Sequence, residues 1–338
     1  MKYEGEKDYK HGSKENIGIL ITNLGTPDKP KKEELRIYLK EFLSDPRVIE
    51  VPKLIWQIIL RGIILKVRPQ KVAKLYKSIW KKEGGPLLVM LEKQKKGINK
   101  IIKKKYKNFK IEIAMRYGNP SIKKGLEKLR DQGCRKILIF PLYPQYCAAT
   151  TGSTFDKVTD ILRKWRWIPE IRFINNYYEN VLYINCLINS IKKSWKKFGK
   201  SQKLIFSYHG IPKKYLLKGD PYHCFCQKTT RLVIEKLKLK EKDYITTFQS
   251  RFGPDEWLQP YTDKTLEKLP SEGVKKIHIL SPGFSSDCLE TLEELDVENK
   301  NNFLSAGGEE YNYIKCLNDN PDHLEMLSDV IINNTKGW

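Results

Sequence analysis

Histidine is scarce in this 338-residue chain, with five in all, and arginine is scarce for so basic a sequence: 12 Arg stand against 51 Lys. The formal charge of +23 points first to nucleic acid. Phosphate-binding surfaces, however, draw on the planar fork of Arg and cluster it with aromatics, whereas Lys is scattered here over almost every predicted helix. With the abundant Ile, Asn and Tyr, that pattern fits a codon bias toward A and T, and no nucleic-acid partner is expected. The first twelve residues have no apolar stretch of the secretory kind, so a cytoplasmic location is expected. The seven cysteines (Cys134, Cys147, Cys186, Cys224, Cys226, Cys288, Cys316) are odd in number and lack framework spacing, which reads as reduced thiols. There is no Walker-type phosphate loop and no GxGxxG after the first strand, so nucleotide chemistry has little support. His223-Cys224-Phe225-Cys226 has no second ligand pair at zinc spacing.

What is present is a globular composition, 40% apolar and 30% charged, of a length that suggests about two domains or one α/β body of two similar halves. Apolar, strand-like runs at 17–23, 111–116, 136–140, 171–174, 203–207, 244–248 and 276–280 are separated by segments long enough for helices, the first at 31–43. That alternation predicts mostly parallel sheets covered on both faces, with ligands beyond the carboxyl ends of the strands. The loops at those ends repeat. Asn23-Leu24-Gly25-Thr26-Pro27 is echoed 185 positions later by Tyr208-His209-Gly210-Ile211-Pro212, Arg116–Pro120 by Arg251–Pro254, and Gly133–Ile139 by Gly273–Ile279. Three echoes in one order imply two homologous halves, with the second carrying His209 where the first carries Leu24.

His209 stands in a tight loop at a strand end, so its imidazole is placed as a base or metal ligand, or as a hydrogen-bonded turn residue. In the segment after 276–280, Asp287, Glu290 and Glu294 are spaced i, i+3, i+7, which on an α-helix is one face. Such carboxylates could pass a cation or protons along a path, and Asp287 with Glu290 equally fits a helix capping box. Residues 54–65 (LIWQIILRGIIL) are apolar on nearly every side; as a helix of about 18 Å they are too short to cross a bilayer. They belong either in a core or at a surface that meets an apolar ligand or a membrane.

These residues resemble ferrochelatases, the enzymes that insert ferrous iron into protoporphyrin at the end of haem synthesis, and especially the proteobacterial type. The matching stretches are Asn23–Pro27 with Phe42–Asp45, Val72–Tyr76 with Gly84–Leu87, Arg116–Pro120, Tyr143–Tyr146, Ser207–Pro212, Thr247–Gly253 with Trp257–Thr262, and Pro282–Leu295. The resemblance implies an α/β chelatase-like fold of two Rossmann-like halves, each a mostly parallel sheet flanked by helices, with a porphyrin cleft between them. It places the halves at 14–170, including an apolar lip at 48–68, and at 171–338, with the final helix able to pack back on the first half. By this resemblance His209 and Glu290 are the catalytic and metal-binding pair, and Asp287 and Glu294 continue a proton or metal path. Leu24, Tyr76, Arg116, Tyr117, Trp257 and Phe284 bind the substrate. The implied enzyme is a lyase acting on protoporphyrin IX and ferrous iron, the alternative being another tetrapyrrole chelatase using cobalt, nickel or coproporphyrin. No permanently bound cofactor is expected. An iron–sulfur cluster is not expected either, because only Cys316 lies near the C-terminus where some relatives carry a cysteine-rich extension. The basic charge beside 54–65 suggests peripheral membrane contact.

Overall fold

The computed structural model describes residues 3–6 and 9–338. Two four-stranded parallel sheets are formed. The first contains β1 (Asn16–Thr26), β2 (Phe109–Gly118), β3 (Cys134–Pro141) and β4 (Glu170–Phe173) in the order β2-β1-β3-β4. The second contains β5 (Lys203–His209), β6 (Tyr244–Gln249), β7 (Lys276–Leu280) and β8 (Glu310–Ile314) in the order β6-β5-β7-β8. The same permutation in both is the structural form of the sequence repeat. β1 and β5 are central strands covered on both faces, which is why they read as unbroken apolar runs and not as alternating ones. β8 is absent from the strands read in the sequence. Its residues, Glu-Tyr-Asn-Tyr-Ile, contain no apolar run, and it is a strand because β7 offers it a ladder.

Backbone contacts correct one of the echoes. Met115 N donates to Pro120 O at 2.7 Å, and its counterpart is Phe248 N donating to Pro260 O at 2.9 Å. Pro260, and not Pro254, is therefore the equivalent of Pro120. The return takes five residues in the first half and twelve in the second, and the longer loop holds Trp257.

The chain divides into two compact units that do not coincide with a cut at 170/171. One comprises the chain up to Leu142, Ala148–Asn175 and Leu324–Trp338; the other comprises Tyr143–Cys147 and Asn176–His323. The first is centred on Leu20, Ala114, Leu126 and Ile139, the second on Ile205, Leu266, Ile279 and Phe303. The strand-end loops approach neighbouring backbone closely. A Cβ on Gly25, which has φ +139°, would lie 2.0 Å from Tyr117 O, and one on Gly210 would lie 2.9 Å from Gln249 O.

Residues 53–79 form one helical rod in three pieces, α-helical at Lys53–Ile59, π-helical at Leu60–Ile64 and α-helical again at Leu65–Ile79. Leu60 and Leu65 are buried, whereas Leu54, Ile58 and Ile63 are 83%, 74% and 63% exposed. The core reading of 54–65 therefore fails for most of the segment. Among the described residues no helix is long and apolar enough to cross a membrane.

Candidate functional site

The second unit gathers the candidate chemistry at the carboxyl ends of β5, β6 and β7. His209 is the last residue of β5 and is partly exposed. Its Nδ1 lies 2.6 Å from Gly210 O. A carbonyl can only accept, so Nδ1 carries the proton and Nε2 keeps its lone pair for a proton or a metal. The loop after β5 is clamped by the long β6 loop, with Leu258 N donating to Ile211 O at 3.0 Å and Lys213 N to Glu256 O at 2.8 Å. This clamp seats Trp257 against Gly210, where a Cβ would meet the indole at 3.2 Å. The indole Nε1 donates to Phe252 O at 2.9 Å. Phe284, from the loop after β7, is half-buried with its ring centroid 6.4 Å from that of His209. His209, Trp257 and Phe284 are thus brought together.

Beyond Phe284 the chain winds into a ten-residue π-helix, Glu290–Asn299. The expected α-helical face does not exist. Asp287 precedes the helix and is buried; it accepts from Tyr313 Oη at 2.7 Å, Asn318 Nδ2 at 2.8 Å, Cys316 N at 3.2 Å and Thr291 Oγ1 at 3.3 Å. It ties the helix entrance to the loop after β8 and makes no capping box with Glu290. Just before the helix, Cys288 N donates to Thr291 Oγ1 at 2.9 Å, and the helix start has no side-chain cap. The Glu290 carboxylate lies beside the buried Cys288 thiol, which burial first and then the Glu290 charge push well above its usual pKa.

Residues four apart share a face on this winding as they would on an α-helix, so Glu290 and Glu294 are aligned. Burial pushes Glu294 up to about 7, opposed by hydrogen bonds from Ser250 and Gln249 and reinforced by the charge of Glu290. Ser250 Oγ donates to Glu294 Oε2, and Gln249 Nε2 reaches the same oxygen at 3.3 Å. Glu294 faces a cavity of about 480 Å³ whose other acids include Glu298 and Asp263, the latter paired with Arg251 at 2.6 Å. Sequence reading missed Glu298, Ser250 and Gln249. Glu298 follows Glu294 by four in the same acidic run, whereas the two β6 residues become visible only once the strand end and the helix are placed together.

In the first unit, Leu24 is partly exposed at the end of β1, with its amide donating to Asn23 Oδ1 at 2.8 Å. Tyr76 is buried with its ring 6.1 Å from that of Trp80. Arg116 is paired with the buried Asp45 through Nη2, and its Nε donates to Ser153 Oγ at 2.6 Å. Tyr117 is completely buried, its hydroxyl donating to Asp45 at 2.8 Å, and burial pushes its pKa up. Asp45 accepts from Ser153 Oγ as well, at 2.6 Å, so Arg116 and Tyr117 are fixed by one buried carboxylate that sequence reading left unassigned.

The ferrochelatase family profile matches residues 16–335, nearly the whole chain. The chain belongs to the ferrochelatase family. It is 52% identical to the ferrochelatase of Thioalkalivibrio sulfidiphilus and 52% identical to that of Marinobacter nauticus, in each case over all of this chain and 92% of the relative. The ferrochelatase of Idiomarina loihiensis is 51% identical over the same span of this chain and 93% of its own. In fold the chain is similar to SirB from Bacillus subtilis solved with Fe3+, with a TM-score of 0.53 at 12% identity over 95% of this chain and 96% of that one. It is also similar to CbiX, described as the terminal enzyme of sirohaem biosynthesis in denitrifying bacteria, with a TM-score of 0.51 at 11% identity over 94% and 98%. The two-unit fold is thus a chelatase fold, and membership of the ferrochelatase family makes the chain a porphyrin metal chelatase of haem synthesis.

Proposed function

We propose that the protein inserts ferrous iron into protoporphyrin IX, releasing two protons and forming protohaem. The observation that supports this most directly is that His209, with its Nδ1 committed to Gly210 O, and Glu290 follow the neighbouring strands β5 and β7 of one sheet. Metallation needs a base for two pyrrole protons, an oxygen or nitrogen ligand that strips water from the cation, and apolar surface against which the macrocycle is bent. His209 and Glu290 supply the first two roles. Trp257 and Phe284 supply ring contact beside His209 in the second unit, and Leu24, Tyr76, Arg116 and Tyr117 of the first unit are proposed as substrate contacts on the family resemblance, with Arg116 and Tyr117 held by Asp45. Glu294, which changes charge near neutrality, carries protons or the cation between Glu290 and the acidic cavity. Asp287 holds the entrance of that path in shape. Iron is substrate, and the proposal includes no resident cofactor and no iron–sulfur cluster, since a cluster needs four thiolate-type ligands; labile sulfide in anaerobically purified protein would contradict this.

Anaerobic incubation with protoporphyrin IX and ferrous iron, followed in the visible spectrum, tests the reaction. Haem bands are expected from the wild type, and His209→Ala is expected to abolish them while its melting curve stays unchanged. Insertion of cobalt or nickel alone, or into coproporphyrin alone, would replace the proposed substrates. We also propose peripheral contact of the exposed 54–65 face with anionic lipid on the cytoplasmic side, supported by its apolar side chains and by Lys53, Arg61 and Lys66 around them.

A further inference from the structure

Among the buried polar side chains of the second unit, Gln249 touches both elements that carry the proposed chemistry. In the β5–β6 register it lies directly opposite His209, and its carbonyl accepts from Gly210 N at 2.7 Å, which holds the histidine loop from the backbone side. Its side chain, 4% exposed, turns the other way. Nε2 donates to Glu290 O at 2.9 Å and to Glu294 Oε2 at 3.3 Å. Oε1 accepts from Ser207 Oγ at 2.8 Å. Thr262 Oγ1 lies 2.9 Å from both Ser207 Oγ and Thr247 Oγ1, and since the Ser207 proton goes to Gln249 the bond to Ser207 is donated by Thr262. Ser207, Thr247 and Thr262 are fully buried, so the amide sits at the end of a hydrogen-bonded relay anchored in the sheet. A backbone carbonyl and a carboxylate both need a donor, which settles that the NH2 end faces the π-helix. Glu290 is the first residue of that helix. Fixing its carbonyl fixes the height and rotation of the first turn, and with them the direction of the Glu290 carboxylate.

We propose that Gln249 is the positioning residue that sets His209 and Glu290 in mutual register, holding the first through its main chain and the second through its side-chain amide. This rests on the metal-insertion reading above. It assigns the residue no contact with substrate: the amide acts through the helix it holds, and loss of that hold displaces Glu290 from the site occupied by the reacting nitrogens and the cation.

Gln249→Glu keeps the length and the acceptor for Ser207 while removing the donor. Anaerobic turnover with protoporphyrin IX and ferrous iron is expected to fall about tenfold or more, with the porphyrin KM within about twofold of wild type, because small misplacements of reacting groups cost rate before binding. Amide hydrogen exchange in 290–299 is expected to accelerate about fivefold or more while peptides of β1 to β4 are unchanged. Combining Gln249→Glu with Glu294→Gln restores one donor–acceptor pair between the two side chains, so the double variant is expected to exchange more slowly in 290–299 than Gln249→Glu alone. A general structural role would instead raise exchange throughout 176–323 and lower kcat and raise KM together. Turnover within about twofold of wild type, or exchange that is unchanged or rises evenly across the unit, overturns the proposal. If Gln249→Glu does not fold, Gln249→Met decides by the same two measurements. Should the wild type form no metalloporphyrin, the functional reading fails by itself, and the exchange comparison, which needs no substrate, still decides the positioning role.

Discussion

Burial raises the pKa of the Glu294 carboxyl from 4.5 to about 7 in the folded protein, and this has a consequence for stability. Between those values the folded chain binds more protons than the unfolded one, so the contribution of this group to stability falls as pH rises from about 4.5 to 7. Glu294→Gln removes the penalty and keeps an acceptor for Ser250. Its thermal midpoint is expected to exceed that of wild type at pH 8, by a stabilisation of order 1 kcal/mol, and to match it at pH 4.5; scanning calorimetry at the two pH values checks this. Glu290→Gln is a different case. Since the helix start has no side-chain cap and Asp287 is engaged elsewhere, the Glu290 carboxylate makes no capping box whose loss would lower the midpoint. The expected result is an unchanged melting curve with turnover reduced about a hundredfold or more, the usual range for a lost acid–base or ligand group. A lowered midpoint with normal turnover would remove Glu290 from the reaction.

At the scale of elements, two of the three π-helical stretches among the described residues, Leu60–Ile64 and Glu290–Asn299 but not Ala148–Gly152, lie where the proposed chemistry and the exposed apolar face are found. π-Helices are rare because i→i+5 bonding is poorer than α, and they concentrate at functional sites. Glu290–Asn299 carries both Glu290 and Glu294. Leu60–Ile64 lies within the 53–79 rod, whose Leu54, Ile58 and Ile63 are exposed. A patch of this kind is out of place in water and in keeping with a lipid surface. Flotation with anionic vesicles at low salt is expected to carry the wild type, to lose it at high salt, and to lose Ile58→Lys at either, with no change in the melting curve of the variant. Wild type that stays at the bottom of the gradient at low salt refutes the membrane contact.

At the scale of the whole molecule, the C-terminal segment belongs with the N-terminal unit. Leu324–Trp338 counts with the first compact unit, although β8 just before it completes the second sheet. The end of the chain is fastened along the edge strand β4: Arg172 donates to Asn334 O and Lys336 O, both at 2.8 Å, and its guanidinium lies 4.4 Å from the Trp338 ring centroid. Leu327 and Ile331 are fully buried. Ile331→Ala is expected to destabilise the protein by about 2–4 kcal/mol through transfer and cavity terms, while the turnover of the molecules that remain folded is kept. Chemical denaturation with a parallel activity assay measures both.

The sequence by itself determined the alternation of strands and helices and the twofold repeat, and it singled out as candidates the two residues on which the proposed reaction turns. Buried parallel strands announce themselves as apolar runs, and a histidine or carboxylate at a strand end announces itself by its place after the run. It did not determine β8, whose five residues are a strand only because β7 is beside them. Nor did it determine the correspondence of Pro120 with Pro260, which hydrogen bonds decide and a longer loop hides. Only the tertiary structure removed Asp287 from the acidic face, because a helix read at α periodicity is wound as π and the four groups that claim Asp287 include three from the chain after β7 and its helix. The roles of Asp45 and Gln249 belong to the same class. Each is a buried polar group satisfied by partners distant in sequence, and such a group leaves no period or motif to read, since its partners are chosen by the packing that surrounds it.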